Sequence, residues 1–179
     1  MDQQLEAEII ISVLKGDRQA YALLVDEYKN QIYSLAFRMT KNAEDANDLA
    51  QEAFIRAYKN LWRFNPQKKF FTWLYTISLN LIRNHLKKLR SNELTARLSF
   101  LYSENEDRSP ENILIDAEGL KEIELSLLDL HDEARALIIM KYQQGLSFEE
   151  IAEITSKSLS AVKMAIYRGL ERLKQLMSE

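Results

Sequence analysis

The chain has 179 residues, a length that suits one domain or two small ones. It contains only four Gly and two Pro, which favours helix. The absence of Cys excludes disulfides and thiolate metal sites, and the two histidines, His85 and His131, lack a metal-ligand spacing. The N-terminus lacks the pattern of a signal peptide, and no apolar run is long enough to span a membrane. The sequence therefore predicts a cytosolic protein that has no cofactor or metal.

The charges are unevenly distributed, although the net charge is only −3. Residues 63–97 carry eight basic side chains and one acid, whereas residues 99–135 carry eleven acids and three bases. A second basic segment, residues 155–176, has five bases and one acid. Two basic segments separated by an acidic one indicate two contacts with a polyanion on one chain.

Apolar residues recur at intervals of three and four along the N-terminal half, which is the period of one buried helix face. Gly16 breaks the first of these patterns, and Asp17 is placed to cap the second. Asn42 is placed to cap the third, with Asp45 in a position like that of a capping box. The predicted helices span about residues 3–15, 18–40, 43–64 and 71–90.

The periodicity fades between residues 91 and 109, whose composition is typical of a solvated linker. The tripeptide Ser109-Pro110-Glu111 favours a new helix, which ends near Leu128. The remaining predicted helices span about residues 132–143, 148–154 and 159–177. Gly145 ends the first of these, and a capping box of Ser147 and Glu150 begins the second.

These elements predict an all-α fold of two small helical domains joined by a flexible acidic linker. The N-terminal domain covers residues 1–90, the linker covers residues 91–109, and the C-terminal domain covers residues 110–179. Strand-like alternation and internal repeats are both missing from the sequence.

Residues 147–173 have the pattern of a helix-turn-helix, namely a short capped helix, a brief turn and a longer basic helix. An apolar set packs the two helices together: Ile151, Ile154, Leu159, Val162 and Ile166. The outer side of the second helix is suited to base edges and phosphates in a major groove. It carries Ser160, Lys163, Met164, Tyr167, Arg168 and Arg172.

An ordinary helical hairpin with a solvated basic face would show much the same pattern. The turn also departs from the usual helix-turn-helix sequence. Ser156 stands where Gly is typical, and Lys157 stands where an apolar residue usually packs. A non-Gly residue in a left-handed turn costs about 1 kcal/mol, which a turn can tolerate.

Three segments together resemble the extracytoplasmic-function (ECF) group of the sigma-70 family. DANDLAQEAFIRAY, residues 45–58, resembles sigma region 2.2, and FFTWLYTISLNLIRNHLKK, residues 70–88, resembles the regions that melt and recognise the −10 element. GLSFEEIAEI, residues 145–154, resembles region 4. The resemblance covers nearly the whole chain except the linker.

The resemblance implies that the third helix docks on the clamp helices of the polymerase β′ subunit. The corresponding residues are Asp45, Asp48, Gln51, Glu52 and Arg56. Without the resemblance, a solvated polar stripe is the simpler interpretation of this face.

The resemblance also implies that the loop at residues 65–69 captures a base flipped out of the non-template strand, and that the following helix holds the −10 element. The corresponding residues are Asn65, Gln67, Lys68, Lys69, Trp73, Asn80, Arg83, Lys87 and Lys88. Trp73 and Tyr75 are suited to stacking on single-stranded DNA, although Trp73 also shares an apolar stripe with Ile77 and fits the domain core.

The family implies three partners, which are core RNA polymerase (β′ clamp helices and β flap), promoter DNA and an anti-sigma factor, often membrane-anchored. An anti-sigma factor of that kind would hold the protein at the membrane. The last helix would then bind the −35 element. The sequence has no Gly-rich phosphate loop, nucleophile–base pair or metal set, so no catalytic residue is predicted.

A stand-alone helix-turn-helix regulator remains the alternative, with a protein-binding helical adaptor behind it and an enzyme last. The basic segment far from the helix-turn-helix argues against the stand-alone regulator. The promoter sequence, the inducing signal and the role of the linker lie beyond what the sequence determines.

Overall fold

The structure is a computed structural model, and it describes residues 3–101 and 126–177. Every regular element in these two ranges is helical, so the prediction of an all-α fold is confirmed. The helices are α1 (Gln3–Leu14), α2 (Tyr21–Thr40), α3 (Ala43–Lys59), α4 (Phe70–Leu101), α5 (Asp132–Ile138), α6 (Phe148–Thr155) and α7 (Leu159–Leu176).

The prediction that Asn42 caps its helix is confirmed, and the prediction that Asp17 caps the second helix is wrong. The Asp17 carboxylate accepts from the N–H groups of Gln19 and Ala20 in a turn, so α2 begins later than predicted, at Tyr21. Asn42 caps α3 directly, with its side-chain oxygen 2.9 and 3.1 Å from the nitrogens of Glu44 and Asp45.

The capping box predicted for Asp45 is wrong. The N–H of Asn42 donates instead to the hydroxyl of Thr40. The Asp45 carboxylate points toward α4, where its Oδ2 lies 3.3 Å from the Nε2 of His85. Asp45 therefore links α3 to α4 and does not close the first turn of its own helix.

Helix α4 is longer than predicted. It was expected to end near Arg90, but it continues to Leu101 through the first eleven residues of the predicted linker. Residues 91–101 contain neither Gly nor Pro, and Leu94, Ala96 and Leu98 favour helix. The rest of the predicted linker and the helix start at Ser109 lie outside the described residues.

The C-terminal helices begin and end where local signals predicted. Residues 126–128 are helical, in agreement with a helix end near Leu128. The capping box is complete: the N–H of Ser147 donates to the Glu150 carboxylate at 2.9 Å, and the N–H of Glu150 donates to the Ser147 hydroxyl at 3.1 Å. Gly145 and Ser156 both have positive φ angles, 71° and 53°.

Two details of this half differ from the predictions. The predicted helix at residues 132–143 changes after Ile138 into a π-helical turn, Ile139–Gln143. Leu159 was expected to pack between the two helices of the helix-turn-helix, but it starts α7 at the surface and is 37% exposed. Val162 and Ile166, about one and two turns further on, are fully buried, as predicted.

The larger of two apolar clusters among the described residues includes side chains from both halves of the chain. Leu24, Ile32 and Leu74 from the N-terminal helices belong to the same buried cluster as Met140 and Ile151. α4 packs against α6, and α2 packs against α5 and the π-helical turn. The two halves therefore form one closed body, in which the helix-turn-helix lies against the N-terminal helices.

Candidate functional site

The predicted polymerase-docking face lies along one side of α3. Asp48 and Gln51 are exposed. Glu52 is partly buried, and its carboxylate accepts a hydrogen bond from Arg56 Nε at 2.6 Å. Asp45 sits at one end of this face, beside His85. The five predicted residues therefore share a single polar surface with a net negative charge.

An open groove of about 470 Å³ lies next to this face, between α2 and α3. Gln51 lines it together with Asn47 and Ile55 of α3 and Tyr33 of α2. Tyr33 and Ile55 are large apolar side chains left partly exposed, at 38% and 46%. The α2 side of this surface was not predicted from the sequence. The sequence feature that could have indicated it is Tyr33, an aromatic residue outside the buried stripe of α2.

The loop predicted to capture a −10 base, residues 65–69 (the −10 loop), forms a compact turn. The Asn65 side chain accepts from the N–H of Gln67 at 3.0 Å, and its carbonyl accepts from the N–H of Lys68 at 2.9 Å. Asn65 and Gln67 are exposed. The two lysines are turned toward the C-terminal half, where Lys68 pairs with Glu153 at 3.0 Å and Lys69 pairs with Glu150 at 2.8 Å.

The Lys69–Glu150 pair changes the titration of both groups. The hydrogen bond to Glu150 raises the pKa of Lys69 above its usual value. Partial burial acts to raise the pKa of Glu150, but the bonds from Lys69 and Ser147 outweigh it and the net pKa is lowered. Both charged forms are therefore stabilised in this arrangement.

Trp73 and Tyr75 of α4 pack into the core. Trp73 is partly buried, and its ring packs 5.3 Å from Phe64 and 5.8 Å from Phe70. Tyr75 is fully buried, its hydroxyl bonds to Gln144, and burial raises its pKa above the usual value. The prediction that Tyr75 stacks on DNA is wrong for this closed structure, because its ring has no exposed face.

The polar side chains of α4 differ in their exposure to solvent. Asn80, Lys87 and Lys88 are exposed, as a phosphate- or base-binding surface requires. Arg83 is partly buried, and its Nη2 has no hydrogen-bond partner within residues 3–101 and 126–177. A bond from Lys157 lowers the pKa of Glu133, and the nearby charge of Arg83 adds to this effect.

Trp62 is a candidate that was not predicted from the sequence. It sits in the short 3₁₀ turn Leu61–Arg63 just before the −10 loop and is 67% exposed. The guanidinium of Arg63 lies 4.6 Å from its ring centre. An exposed tryptophan beside a basic loop is suited to stacking on an unpaired base. The sequence feature that could have indicated Trp62 is a large aromatic residue that belongs to no apolar stripe.

The predicted −35 surface forms one side of α7. Ser160, Met164, Tyr167, Arg168 and Arg172 are exposed, whereas Lys163 is partly buried. The ammonium of Lys163 lies 5.4 Å from the ring of Phe148, at the start of α6. The turn before α7 holds Ser156 in a left-handed conformation without Gly. Lys157 points away from the core and pairs with Glu133.

Helix α1 supports the −10 loop from outside the predicted site. Glu6 is only 4% exposed, and its carboxylate accepts from the N–H of Phe70, the first residue of α4, at 3.3 Å and from the Tyr28 hydroxyl. Gln3 donates to the carbonyl of Gln67 at 3.2 Å. Because the first N–H groups of a helix have no partner within the helix, Glu6 caps α4 and fixes the end of the −10 loop.

We expect Glu6→Ala to lower the free energy of unfolding by about 1–3 kcal/mol, because it leaves buried donors on Tyr28 and Phe70 unsatisfied. Glu8→Ala, on the exposed side of the same helix, is the matched control and is expected to change stability by less than about 0.5 kcal/mol. Urea denaturation measures both. Equal stabilities for the two variants would show that Glu6 does not cap α4.

The described part of the chain contains neither a metal-binding group nor a membrane-spanning helix. Its His, Asp and Glu residues do not form a group that could hold a metal ion. Among the described helices, none has the length and apolar character needed to cross a membrane.

Both halves of the chain match known protein families. The Sigma-70 region 2 family model matches residues 24–92, and the Sigma-70 region 4 model matches residues 120–173. The chain is 38% identical to the ECF RNA polymerase sigma factor SigW of Bacillus subtilis, over 95% of each protein. It is 31% identical to the ECF RNA polymerase sigma-E factor of Escherichia coli, over 97% of this chain and 95% of that protein.

The chain belongs to the sigma-70 family of RNA polymerase sigma factors, in its ECF group.

Solved structures show the same fold. The sigma factor's fold is similar to that of CnrH in complex with the cytosolic domain of CnrY, with a TM-score of 0.73 and 23% identity over 97% of each chain. It is also similar to that of RpoE in complex with the anti-sigma factor NepR from Bartonella quintana, with a TM-score of 0.65 and 19% identity. That match covers 88% of this sigma factor and 96% of RpoE. Helix α1 ends before the region 2 match begins, so its support of the −10 loop comes from outside the matched residues.

Proposed function

We propose that this sigma factor selects promoters for core RNA polymerase with two separate DNA-binding surfaces and helps to melt the −10 element. The observation that carries the proposal is the placement of exposed polar and basic side chains on α4 and on α7, in the two segments that match sigma regions 2 and 4. Residues 1–90 and 110–179 act as the two functional domains.

Core polymerase binds to the α3 face and the adjoining groove. Asp48, Gln51 and Glu52 supply polar and negative groups, and Tyr33 and Ile55 supply exposed apolar area beside them. A patch of this kind, an apolar centre with a charged rim, is the usual anatomy of a protein–protein interface. The β′ clamp helices are the proposed partner of this surface, and the β flap is the proposed partner of the C-terminal half.

The −35 element lies against α7. Its exposed side presents Arg168 and Arg172 for phosphates or guanine, and Met164 and Tyr167 for apolar contact with bases. Val162 and Ile166 on the opposite side are fully buried and fix the helix to α6. Such a rigid support is what a recognition helix needs in order to enter a major groove in one orientation.

The −10 element binds the −10 loop and the exposed side of α4. Asn80, Lys87 and Lys88 are accessible there, and Trp62 offers an aromatic ring for an unpaired base. Binding to the open strand supplies the free energy for melting, since flipping a base costs a few kcal/mol that the pocket must offset. The protein is thus a binding factor without an enzymatic reaction of its own.

Two further features follow from this function. A factor that acts on polymerase and promoter DNA works in the cytoplasm. An anti-sigma factor is a proposed regulatory partner, because the RpoE of known structure is held in complex with the anti-sigma factor NepR. Through a membrane-anchored anti-sigma factor, the protein would be kept at the membrane until it is released.

Transcription in vitro tests the proposal. Core polymerase alone, and core polymerase with this protein, are each given fragmented DNA from the source genome, and transcript 5′ ends are sequenced. We expect discrete start sites only when the protein is present, with shared sequence elements upstream at two positions. A stand-alone regulator would bind duplex DNA without polymerase and would create no new start sites.

A further inference from the structure

Helix α1 contacts the −10 loop or its flanks at three points. The helix packs against the 3₁₀ turn Leu61–Arg63, which precedes the loop. In the middle of the loop, the Gln3 side chain donates to the carbonyl of Gln67 at 3.2 Å. At the end of the loop, the Glu6 carboxylate accepts from the N–H of Phe70 at 3.3 Å. Gln3 and Glu6 are about one helical turn apart, so both side chains lie on the same side of α1.

The −10 loop is not held by burial of its own side chains. All five of its residues, 65–69, are exposed. The turn at Asn65 fixes the first part of the loop, because its side chain and its carbonyl accept from the N–H groups of Gln67 and Lys68. A pocket of about 200 Å³ lies between α1 and the end of the loop. The shape of the second part therefore depends on hydrogen bonds, two of which come from α1.

Glu6 is an acidic residue beside a loop that is proposed to bind DNA. It is only 4% exposed, and both of its oxygens are used, since one accepts from the Phe70 N–H and the other from the Tyr28 hydroxyl. The pKa of Lys69 is raised chiefly by its bond to Glu150, and the charge of Glu6 adds to this effect. A carboxylate repels phosphates, so direct contact with DNA is an unsuitable role for Glu6. Holding the loop backbone is a role that fits its contacts.

We infer that Gln3 and Glu6 are positioning residues for base capture, which hold the −10 loop in the shape that distinguishes one base from another. They act through the loop backbone and do not touch the DNA. Asn65 and Gln67, whose exposed amide side chains are suited to the edge of a flipped base, are the groups that they position. The inference rests on the proposed function, because it concerns the same base-binding loop.

Preorganisation of the loop explains why these bonds should affect base discrimination. Ordering a flexible loop costs free energy when DNA binds, and a loop already held in its bound shape avoids that cost. A loosened loop can also adjust to the wrong base, so the difference in affinity between bases becomes smaller. A merely structural role of α1 would lower the fraction of folded protein and leave the ratio of affinities between bases unchanged.

The test uses holoenzyme assembled from core polymerase and this protein. The probe is a fluorescent single strand that carries the −10 element of a promoter found by the transcription experiment. Four versions of the strand differ in the base at the position where wild type discriminates most. Fluorescence anisotropy gives the dissociation constant of each version. We expect wild-type holoenzyme to bind the best base at least about tenfold more tightly than the worst.

Gln3→Ala is the most direct variant, because Gln3 is exposed and its loss should leave the fold intact. We expect the base preference to fall to about threefold or less, since the middle of the loop loses its bond to α1. Gln4→Ala is the matched control. It makes the same change at the next exposed position of α1, which is rotated by about 100° around the helix. This control is expected to keep the wild-type preference.

Two variants of Glu6 separate positioning from stability. Glu6→Ala removes the acceptor for the Phe70 N–H and is expected to reduce the base preference as Gln3→Ala does. Glu6→Gln keeps an acceptor for that N–H and is expected to retain the preference. Tyr21→Phe controls for lost stability, because it removes a buried hydrogen bond between α2 and α3, from the Tyr21 hydroxyl to the carbonyl of Phe54 at 2.8 Å. We expect Tyr21→Phe to discriminate among the four strands as wild type does.

An unchanged base preference in either Gln3→Ala or Glu6→Ala would overturn the inference. An equal loss of preference in Glu6→Ala and Tyr21→Phe would also overturn it, because stability and not loop shape would then control the preference. Failure of the proposed function gives a different result. In that case the wild-type holoenzyme itself would produce no new start sites.

Discussion

Reversing two charges on α3, with Asp48→Arg and Glu52→Arg together, is expected to weaken binding to core polymerase by at least about 30-fold. Like charges brought together in an interface cost several kcal/mol, and about 1.4 kcal/mol corresponds to a tenfold loss. Asp48 is exposed, and Glu52 makes only a surface bond to Arg56, so the fold should survive the change. Co-elution with core polymerase in size exclusion, followed by titration, measures the effect.

The control for this variant is Glu8→Arg/Asp129→Arg, which makes the same charge change at exposed positions away from α3. It is expected to bind core polymerase as the wild type does. If both double variants lose binding equally, net charge governs the association and the α3 face is not the docking site. If neither loses binding, polymerase docks elsewhere on the protein.

Asp132→Ala is expected to destabilise the C-terminal half by about 3–5 kcal/mol. The Asp132 side chain is 11% exposed and bonds at 2.6 Å to Arg135, whose own side chain is 6% exposed. Burial acts to lower the pKa of Arg135, and Asp132 opposes this by stabilising the charged guanidinium. Removing the carboxylate leaves a buried charge without its counter-ion, which is one of the costliest single changes.

For a chain of this length we expect the melting temperature to fall by about 6–20 °C. Circular dichroism during heating measures it. Asp132→Ala/Arg135→Met removes both charges and should recover most of the loss, because an apolar pair of similar volume tolerates burial. An Asp132→Ala protein as stable as the wild type would show that Arg135 is solvated in solution, and that the pair does not hold α5.

Features that depend on neighbouring residues could be predicted from the sequence. Asn42 and the Ser147–Glu150 box cap their helices because the donors lie two or three residues away. The exposed side of α7 follows from its period, since Val162 and Ile166 bury the other side. Ser156 takes the left-handed conformation at the end of α6, where Gly is typical of the motif.

Features that depend on distant residues could not be predicted. Lys69 meets Glu150 across 81 residues, and Tyr75 meets Gln144 across 69, so nothing local distinguishes these side chains from solvated ones. Tyr75 has the residue type of a DNA-stacking group, but tertiary packing buries it. Asp132 has a local partner in Arg135, but its second partner, Arg90, lies 42 positions earlier in the chain and has no local signal.

Permanganate footprinting of a promoter found by the transcription experiment tests most directly whether this protein melts DNA through its −10 surface. With core polymerase and the wild-type protein, thymines in the −10 region are expected to become reactive, whereas core polymerase alone leaves them protected. Asn80→Ala/Lys87→Ala/Lys88→Ala should bind core polymerase normally and lose most of this reactivity. Full reactivity with the triple variant would contradict the −10 surface proposed on α4.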